Sequence, residues 1–242
     1  MRSSHIVGRL SFVALSLFLL GCSRPTTTTT PTTEPVYGGK PLSQWAELTQ
    51  DEDISGGPTP QARQAIQAVK AIGPAQAIPF LLKWIQPPWK NSILPGGAVQ
   101  CFKIFGPDAK AAIPDLAKIL SAPAKNMDDD SAQSSAAEAL SFLGSNAVPV
   151  LLTVATNFQG QQLQWEIIGH MANFGTNGAA AKPAILNWSK DPNGWVRLGA
   201  LHAYVAIEDD QSARQAFLRA ALKDSDQLVR RDASEYLKYV TK

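Results

Sequence analysis

Apolar residues recur along the chain in short helical stripes, and a glycine follows each stripe. In four segments the apolar positions lie seven, four and one residues before the glycine, a spacing that places them on one helix face. The glycines are Gly73, Gly106, Gly144 and Gly175. The stripes are Ile66, Val69 and Ile72; Val99, Phe102 and Phe105; Ala137, Leu140 and Leu143; and Ile168, Met171 and Phe174. The pattern predicts four helices that each end at a glycine.

A proline follows each glycine and opens a second apolar run. The prolines are Pro79, Pro114, Pro149 and Pro183, and they are spaced by 35, 35 and 34 residues. Glycine suits the left-handed backbone just past a helix end. Proline suits the first position of a helix and disrupts the interior. The period therefore predicts stacked helix pairs, because no single pair can bury its apolar face alone.

Two further copies with different turn residues follow towards the C-terminus. The segments KDPNGWVRLGALHAYVAI and KDSDQLVRRDASEYLKYV align with an offset of 33 residues, which pairs Asp191 with Asp224 and Arg197 with Arg230. The segment SARQAFLRAAL between them supplies the second helix of a fifth pair. The helical period therefore continues beyond the glycine and proline punctuation.

The punctuation from Gly73 to Pro183 and the two aspartate–arginine copies resemble the HEAT and HEAT-like repeat family, including its PBS-lyase type. The resemblance covers residues 60–242 and implies an all-α fold. That fold is an α-solenoid of about five to six stacked antiparallel helix pairs. The resemblance also implies an inter-repeat polar ladder formed by Asp191, Arg197, Asp224 and Arg230.

The N-terminal segment has the features of an export signal. Basic Arg2 and Arg9 precede an apolar run that ends in Leu-Leu-Gly-Cys at Cys22, and this end resembles the lipobox of bacterial lipoproteins. The resemblance implies removal of residues 1–21 and acylation of Cys22, for example with palmitate. It places the protein at the bacterial cell envelope, on the outer membrane or the periplasmic face of the inner membrane. A plain secretory signal with a chance cysteine is the alternative.

The next segments are predicted to link this anchor to the repeats. Residues 22–38 are rich in threonine and proline and poor in aliphatic residues, which predicts a disordered tether. Residues 39–59 are predicted to form a capping helix and loop, with Trp45 and Leu48 turned inward to cover the first repeat. The repeat domain is predicted over residues 60–242.

Charge and cysteine content narrow the classes of partner. Without residues 1–21, 20 basic residues face 20 acidic ones, and a net charge of zero gives no electrostatic footprint for nucleic acid. Cys101 lies among apolar residues and is predicted to be a buried small hydrophobe, so there is no disulfide framework.

The residues available for catalysis are few. The sequence has no Gly-x-Ser-x-Gly elbow, phosphate loop or dinucleotide fingerprint. We therefore expect no enzyme activity, no cofactor, no metal and no small-molecule substrate. The alternative is a metal-dependent or enzymatic site formed by Glu166, His170 and His202, because stacking could bring the two histidines together. The acidic run Asp128–Asp130 is predicted to be a solvated loop that N-caps the next helix.

A partner surface is predicted on the second helices and on one inserted loop. Exposed polar residues are expected four positions after each proline, at Lys83, Lys118, Thr153 and Asn187. The next position holds Trp84, Ile119, Val154 or Trp188, which either flanks a groove for an extended peptide or packs against the adjacent unit. Two loops, 86–97 and 121–135, are predicted insertions, and Trp89 in the first is either an exposed anchor or a folded-back seal.

These features predict a non-catalytic, lipid-anchored repeat scaffold that binds an unidentified protein or peptide at the cell envelope. The rival hypotheses are the metal-dependent or enzymatic protein and a structural subunit of a larger envelope complex.

Overall fold

The computed structural model describes residues 33–89 and 91–240. A hairpin of two short strands, β1 (Val36–Tyr37) and β2 (Lys40–Pro41), precedes the helices. The α-helices are α1 (Leu42–Leu48), α2 (Pro60–Ile72), α3 (Pro74–Ile85), α4 (Leu94–Phe105), α5 (Ile113–Ser121), α6 (Met127–Ser141), α7 (Val148–Asn157), α8 (Gln162–His170), α9 (Lys182–Trp188), α10 (Gly194–Ile207), α11 (Gln211–Ala221) and α12 (Gln227–Val240). Three 3₁₀ segments, Gly106–Ala112, Ser145–Ala147 and Met171–Ala181, join helices within pairs.

The helices form a row of stacked pairs. Units one to five are α2/α3, α4/α5, α6/α7, α8/α9 and α10/α11, and α12 stands as the first helix of a sixth unit. Each first helix packs on the first helix of the next unit, from α2 through α4, α6, α8 and α10 to α12. The predicted all-α solenoid of antiparallel helix pairs is therefore confirmed.

The predicted apolar stripes form the core of this row. All of their residues are buried except Ile66, which is half-buried. One continuous cluster runs from Leu42 in α1 to Ile207 in α10, and a small second cluster joins Leu201, Leu218 and Ala233. The helical spacing read from the sequence therefore identified the side of each first helix that faces its neighbours.

The four stripe-ending glycines have the positive φ that the sequence predicted. Gly73, Gly106, Gly144 and Gly175 have φ values of 79°, 55°, 78° and 51°. Their ψ values of 158°, −138°, −174° and −145° lie on the extended side, in a region that is essentially restricted to glycine. A Cβ on Gly144 would also lie 3.1 Å from Cγ of Pro107. These turns therefore require glycine.

The prolines divide into two kinds. Pro114, Pro149 and Pro183 are the second residues of α5, α7 and α9, as expected for helix starts. The interpretation is wrong for Pro79, which lies inside α3. Pro74, directly after Gly73, occupies the first position of α3, so the helix begins five residues before Pro79.

The hairpin and α1 cap the N-terminal end of the row. Pro35 and Tyr37 accept hydrogen bonds through their carbonyls from the backbone N–H of Leu42 and the indole of Trp45, both at 2.9 Å. Trp45 is buried, and Leu48 is half-buried against the core. The predicted disordered tether 22–38 therefore extends too far, because residues from 34 onwards bind the capping helix. Residues 1–32, which include the predicted signal and Cys22, lie outside the described part.

Both predicted insertion loops are shorter than expected because helix continues into them. α4 begins at Leu94 and α6 at Met127. Asn126 caps α6, since its side-chain oxygen accepts hydrogen bonds from the N–H groups of Asp128 and Asp129 at 2.9 and 3.0 Å. The acidic run is therefore the first turn of α6, where carboxylates favour the positive end of the helix dipole.

No single helix among residues 33–89 and 91–240 combines the length and the apolar composition needed to cross a membrane. The bent pair α2 and α3, with 112° between its helices, meets both requirements only when its two members are counted together.

Candidate functional site

A cavity of about 350 Å³ lies between the first helices of units four and five. It is lined by Trp165, Glu166, Gly169 and His170 of α8 and by Trp195, Leu198, Gly199 and His202 of α10. The described part of the chain therefore places both histidines and the glutamate of the predicted alternative site on one cavity.

Two glycines shape this cavity in opposite ways. A Cβ on Gly199 would lie 2.8 Å from the backbone oxygen of Trp165 and 3.3 Å from the backbone nitrogen of Gly169, so its absence lets α8 and α10 approach closely. No heavy atom lies within 4 Å of the Cβ position at Gly169 itself, which faces open space. The cavity therefore lies between two helices that are in close contact at Gly199, and it occupies space that a side chain at position 169 would otherwise fill.

Two tryptophans form the aromatic side of the cavity. The rings of Trp165 and Trp195 stack with their centroids 5.3 Å apart at an interplanar angle of 27°. Trp195 is 49% exposed. Its backbone N–H is bound at 2.9 Å by the side chain of Asn193, the N-cap of α10. The cap and the stacking together hold an accessible indole at the cavity, although tryptophan is normally a largely buried residue.

The polar side of the cavity is acidic. Glu166 is half-buried, and its Oε1 accepts a hydrogen bond from Nε2 of Gln162 at 2.8 Å. Burial lowers the pKa of His170, and this effect exceeds the opposite effect of the carboxylates of Glu138 and Glu166. His170 is therefore neutral at pH 7.

His202 is held from the other direction by α12. Its Nε2 lies 2.8 Å from Oδ2 of Asp232, and its ring meets the ring of Tyr236 edge-on at 5.9 Å. Burial acts to raise the pKa of Asp232, but hydrogen bonds from His202 and Arg231 outweigh it and lower that pKa. Because the ionised carboxylate only accepts hydrogen bonds, Nε2 of His202 carries the proton.

These contacts bear on the hypothesis of a metal centre. Nε2 of His202 donates to Asp232. Within the described ranges, no group of three or more histidine, cysteine, aspartate and glutamate side chains is arranged to hold a metal ion. The cavity therefore offers binding surface in the form of indole rings, one free glutamate oxygen and a neutral imidazole.

The second-helix surface differs in part from the expected groove. The polar column is exposed at all four of its positions, Lys83, Lys118, Thr153 and Asn187. Trp84 and Trp188 do not flank it, because each is only 7% exposed and belongs to the core. Val154 is likewise buried, and Ile119 is half-buried. The neighbouring column therefore packs against adjacent helices, which was the alternative reading of these positions.

Trp89 folds back onto the helix that precedes it. Its indole donates a hydrogen bond to the carbonyl of Ile85 at 3.3 Å, and the side chain is half-buried. The carbonyl it binds is at the C-terminal end of α3, where backbone acceptors lack helical partners. Trp89 thus seals the end of α3.

Of the four predicted ladder residues, Arg197 and Asp224 link two units directly. Nε and Nη2 of Arg197 donate to the two carboxylate oxygens of Asp224 at 2.9 and 2.7 Å. Arg197 also donates to the carbonyls of Asp191 and Pro192, and Arg230 donates in the same way to those of Asp224 and Ser225. Each arginine therefore braces the turn before its own helix, and Arg197 also bonds to the next unit.

One link between units was missed by sequence reasoning. Nζ of Lys182 lies 2.9 Å from Oε1 of Glu208, which follows α10. The hydrogen bond from Lys182 is the main cause that lowers the pKa of Glu208 from 4.5 to about 2. The two residues are 26 positions apart and belong to no repeated motif, so only the stacking of units brings them together.

Comparison with known proteins supports the repeat architecture over part of the chain. Residues 148–238, from α7 into α12, match the family model described as HEAT repeats. No curated protein matches the sequence.

Several solved structures are similar to the chain, and two of them are described below. The complex of CpcE and CpcF of phycocyanin lyase from Nostoc sp. PCC7120 is 19% identical, covers 84% of this chain and 79% of that chain, and has a TM-score of 0.44. An engineered protein is 14% identical, covers 83% of this chain and 96% of that chain, and also has a TM-score of 0.44.

The first of these structures corrects one sequence-based expectation. The complex is a lyase. The expectation that this chain is not an enzyme is therefore contradicted, and we withdraw it. A likeness at this level assigns no reaction to the chain.

Proposed function

We propose that the protein is a repeat scaffold that binds a partner protein through the aromatic cavity between α8 and α10. The observation that carries this proposal is the half-exposed Trp195, stacked on Trp165 at the cavity. The residues that contribute most to binding in protein interfaces are enriched in tryptophan, tyrosine and arginine. The cavity volume lies at the lower end of the range for ligand pockets, about 300–1,000 Å³, which suits one inserted side chain.

The stacked architecture supports a scaffold role because it presents a long surface from rigid elements. His202 of α10, which lines the cavity, also contacts Asp232 and Tyr236 of α12. A partner seated in the cavity can therefore extend along three consecutive units. Solenoids use extended surfaces of this kind to bind other proteins.

Photocrosslinking in cells tests this proposal. A photoreactive side chain at Gln162, an exposed position one turn before Glu166, is expected to form a covalent adduct with one protein species. The same group at exposed Thr153 on α7 is the matched control and tests the second-helix column. When Trp195→Ala is added to the variant with the photoreactive group at position 162, the yield of the adduct is expected to fall by about tenfold or more. Adducts from position 153 alone, or from neither position, would contradict the proposal.

The second part of the proposal is that the scaffold is lipid-anchored at the bacterial cell envelope. The support is the sequence Leu-Leu-Gly-Cys at Cys22 after a short apolar run. Two or three acyl chains on one residue suffice for stable anchoring. Cys22→Ser is expected to move the protein from the membrane fraction to the soluble fraction, whereas Cys101→Ala, at a buried thiol, leaves it bound. Membrane retention of Cys22→Ser would contradict the anchoring.

A further inference from the structure

We propose that the cavity between α8 and α10 receives a cationic side chain, arginine or lysine, from a basic segment of the partner. This inference rests on the proposed function and specifies the chemistry of what enters the cavity. It follows from the charges around the cavity, the aromatic surface inside it and the unused bonding capacity of Glu166.

The charges around the cavity favour a cation. Among the described residues that line it, Glu166 is the single acidic side chain, and none is lysine or arginine. Glu138 on α6 adds a second carboxylate close enough to influence His170. The nearby charge of Asp232 is already bound by His202 and Arg231. Among residues 33–89 and 91–240, neither Glu166 in the cavity nor Glu138 near His170 forms an ion pair.

The aromatic surface favours the same occupant. A lysine or arginine head group gains electrostatic attraction from an indole ring within about 6 Å. Trp165 and Trp195 both line the cavity, and Trp195 remains half-exposed although it stacks on its neighbour. The aliphatic stem of a long basic side chain also matches Leu198 on the same wall, because such stems bury readily while their heads stay polar.

Glu166 has the capacity to bind the charged head. One of its oxygens accepts a hydrogen bond from Gln162. An ionised carboxylate offers about four acceptor sites, so a guanidinium or ammonium group can still be bound. A neutral apolar side chain would instead cover the second oxygen of this carboxylate without adding a hydrogen-bond donor, which is costly. An anionic side chain would meet repulsion from Glu138 and Glu166.

The test uses small probes of defined charge. We would titrate the purified protein with N-acetyl-arginine amide and with its uncharged analogue N-acetyl-citrulline amide. The indole N–H signals of Trp165 and Trp195 would be followed by NMR and assigned with Trp→Phe variants. The arginine probe is expected to shift both signals saturably and to bind about tenfold more tightly than the citrulline probe. Added salt should weaken only the arginine probe.

Two isosteric variants isolate the carboxylate. Glu166→Gln is expected to weaken the arginine probe about tenfold and to leave the citrulline probe unchanged. Asp115→Asn, which removes one exposed carboxylate on α5, is the control and should change neither. Thermal unfolding of both variants by circular dichroism checks that the fold is retained.

The outcomes separate this inference from the proposed function. Equal affinity for the two probes would overturn the cationic occupant. A partner adduct at position 162 combined with no binding of either probe would overturn it too, while the scaffold proposal stands. The absence of both adduct and probe binding would overturn both.

Discussion

Units one to four and the last one and a half units of this row are joined by different interactions. In the first four units, a glycine with positive φ follows each first helix, directly after α2 and α4, three residues after the end of α6 and five residues after the end of α8. At the corresponding place α10 is followed by Glu208, which has an ordinary extended backbone and binds Lys182. Among residues 33–89 and 91–240, every ion pair between different helical units lies beyond residue 181. Glycine backbone conformation therefore forms the turns in the first region, and charged side chains link the units in the second.

The same helical period is therefore maintained by two kinds of interaction, and the stability that each contributes depends differently on pH and salt. A glycine turn depends on the backbone freedom of a single residue and does not respond to pH or salt. A charged turn tolerates ordinary backbone angles, but it depends on ionisation. The two regions should therefore respond differently to substitution and to acid.

The largest expected effect is at a glycine turn. Gly144→Ala should lower the free energy of unfolding by about 3 kcal/mol, because alanine is strained at this φ and its Cβ would press on Pro107. Urea denaturation measures the loss.

Gly169→Ala is the matched control for that change. Gly169 is the penultimate residue of α8, where helical backbone continues into the 3₁₀ segment from Met171. Its Cβ position is free of neighbours, so alanine should raise stability by about 0.5–1 kcal/mol. A similar loss of stability in both variants would refute the special role of the turn glycine.

A smaller effect is expected at the charged junction, and it depends on pH. Arg197→Met should cost about 1–2 kcal/mol at pH 7, since it removes two hydrogen bonds from the largely buried carboxylate of Asp224. The hydrogen bond from Arg197 is the main cause that lowers the pKa of Asp224 below 3.8. A lowered pKa gives stability that is present above pH 3.8 and is lost as the pH falls through the folded-state value.

The difference in unfolding free energy between wild type and Arg197→Met should therefore shrink below pH 3.8. Lys118→Met serves as the control, because it breaks an exposed pair with Asp115 within α5 and should have no measurable effect. A difference that stays constant down to pH 2 would show that Arg197 does not stabilise the protein through the carboxylate of Asp224.

The smallest effect tests the two kinds of proline. Pro79→Ala should stabilise the protein by about 1 kcal/mol, because Pro79 lies inside α3 and removes a helical hydrogen bond. Pro114→Ala at the start of α5 should be neutral or slightly destabilising, because proline is favourable there. Thermal unfolding compares the two, and equal effects would contradict the distinction.

Part of the candidate site was predictable from the repeat period. The separation of His170 and His202 by one unit indicated that stacking could bring them together, and the structure places them with Glu166 on one cavity. The contribution of Trp165 and Trp195 was missed. Trp165 lies on the extension of an apolar stripe, three residues before Ile168, and this position was the available signal. The link between Lys182 and Glu208 had no sequence signal.

The sequence by itself determined the helical period, the core stripes and the glycine turns, because each of these depends on spacing within one helix or on the backbone of one residue. The tertiary structure decided the rest. Burial of Trp84 and Trp188 depends on how each second helix is rotated against its neighbours. The cavity depends on the distance between α8 and α10, where one missing Cβ at Gly199 allows close contact. Such distances arise between units and are not encoded in the period.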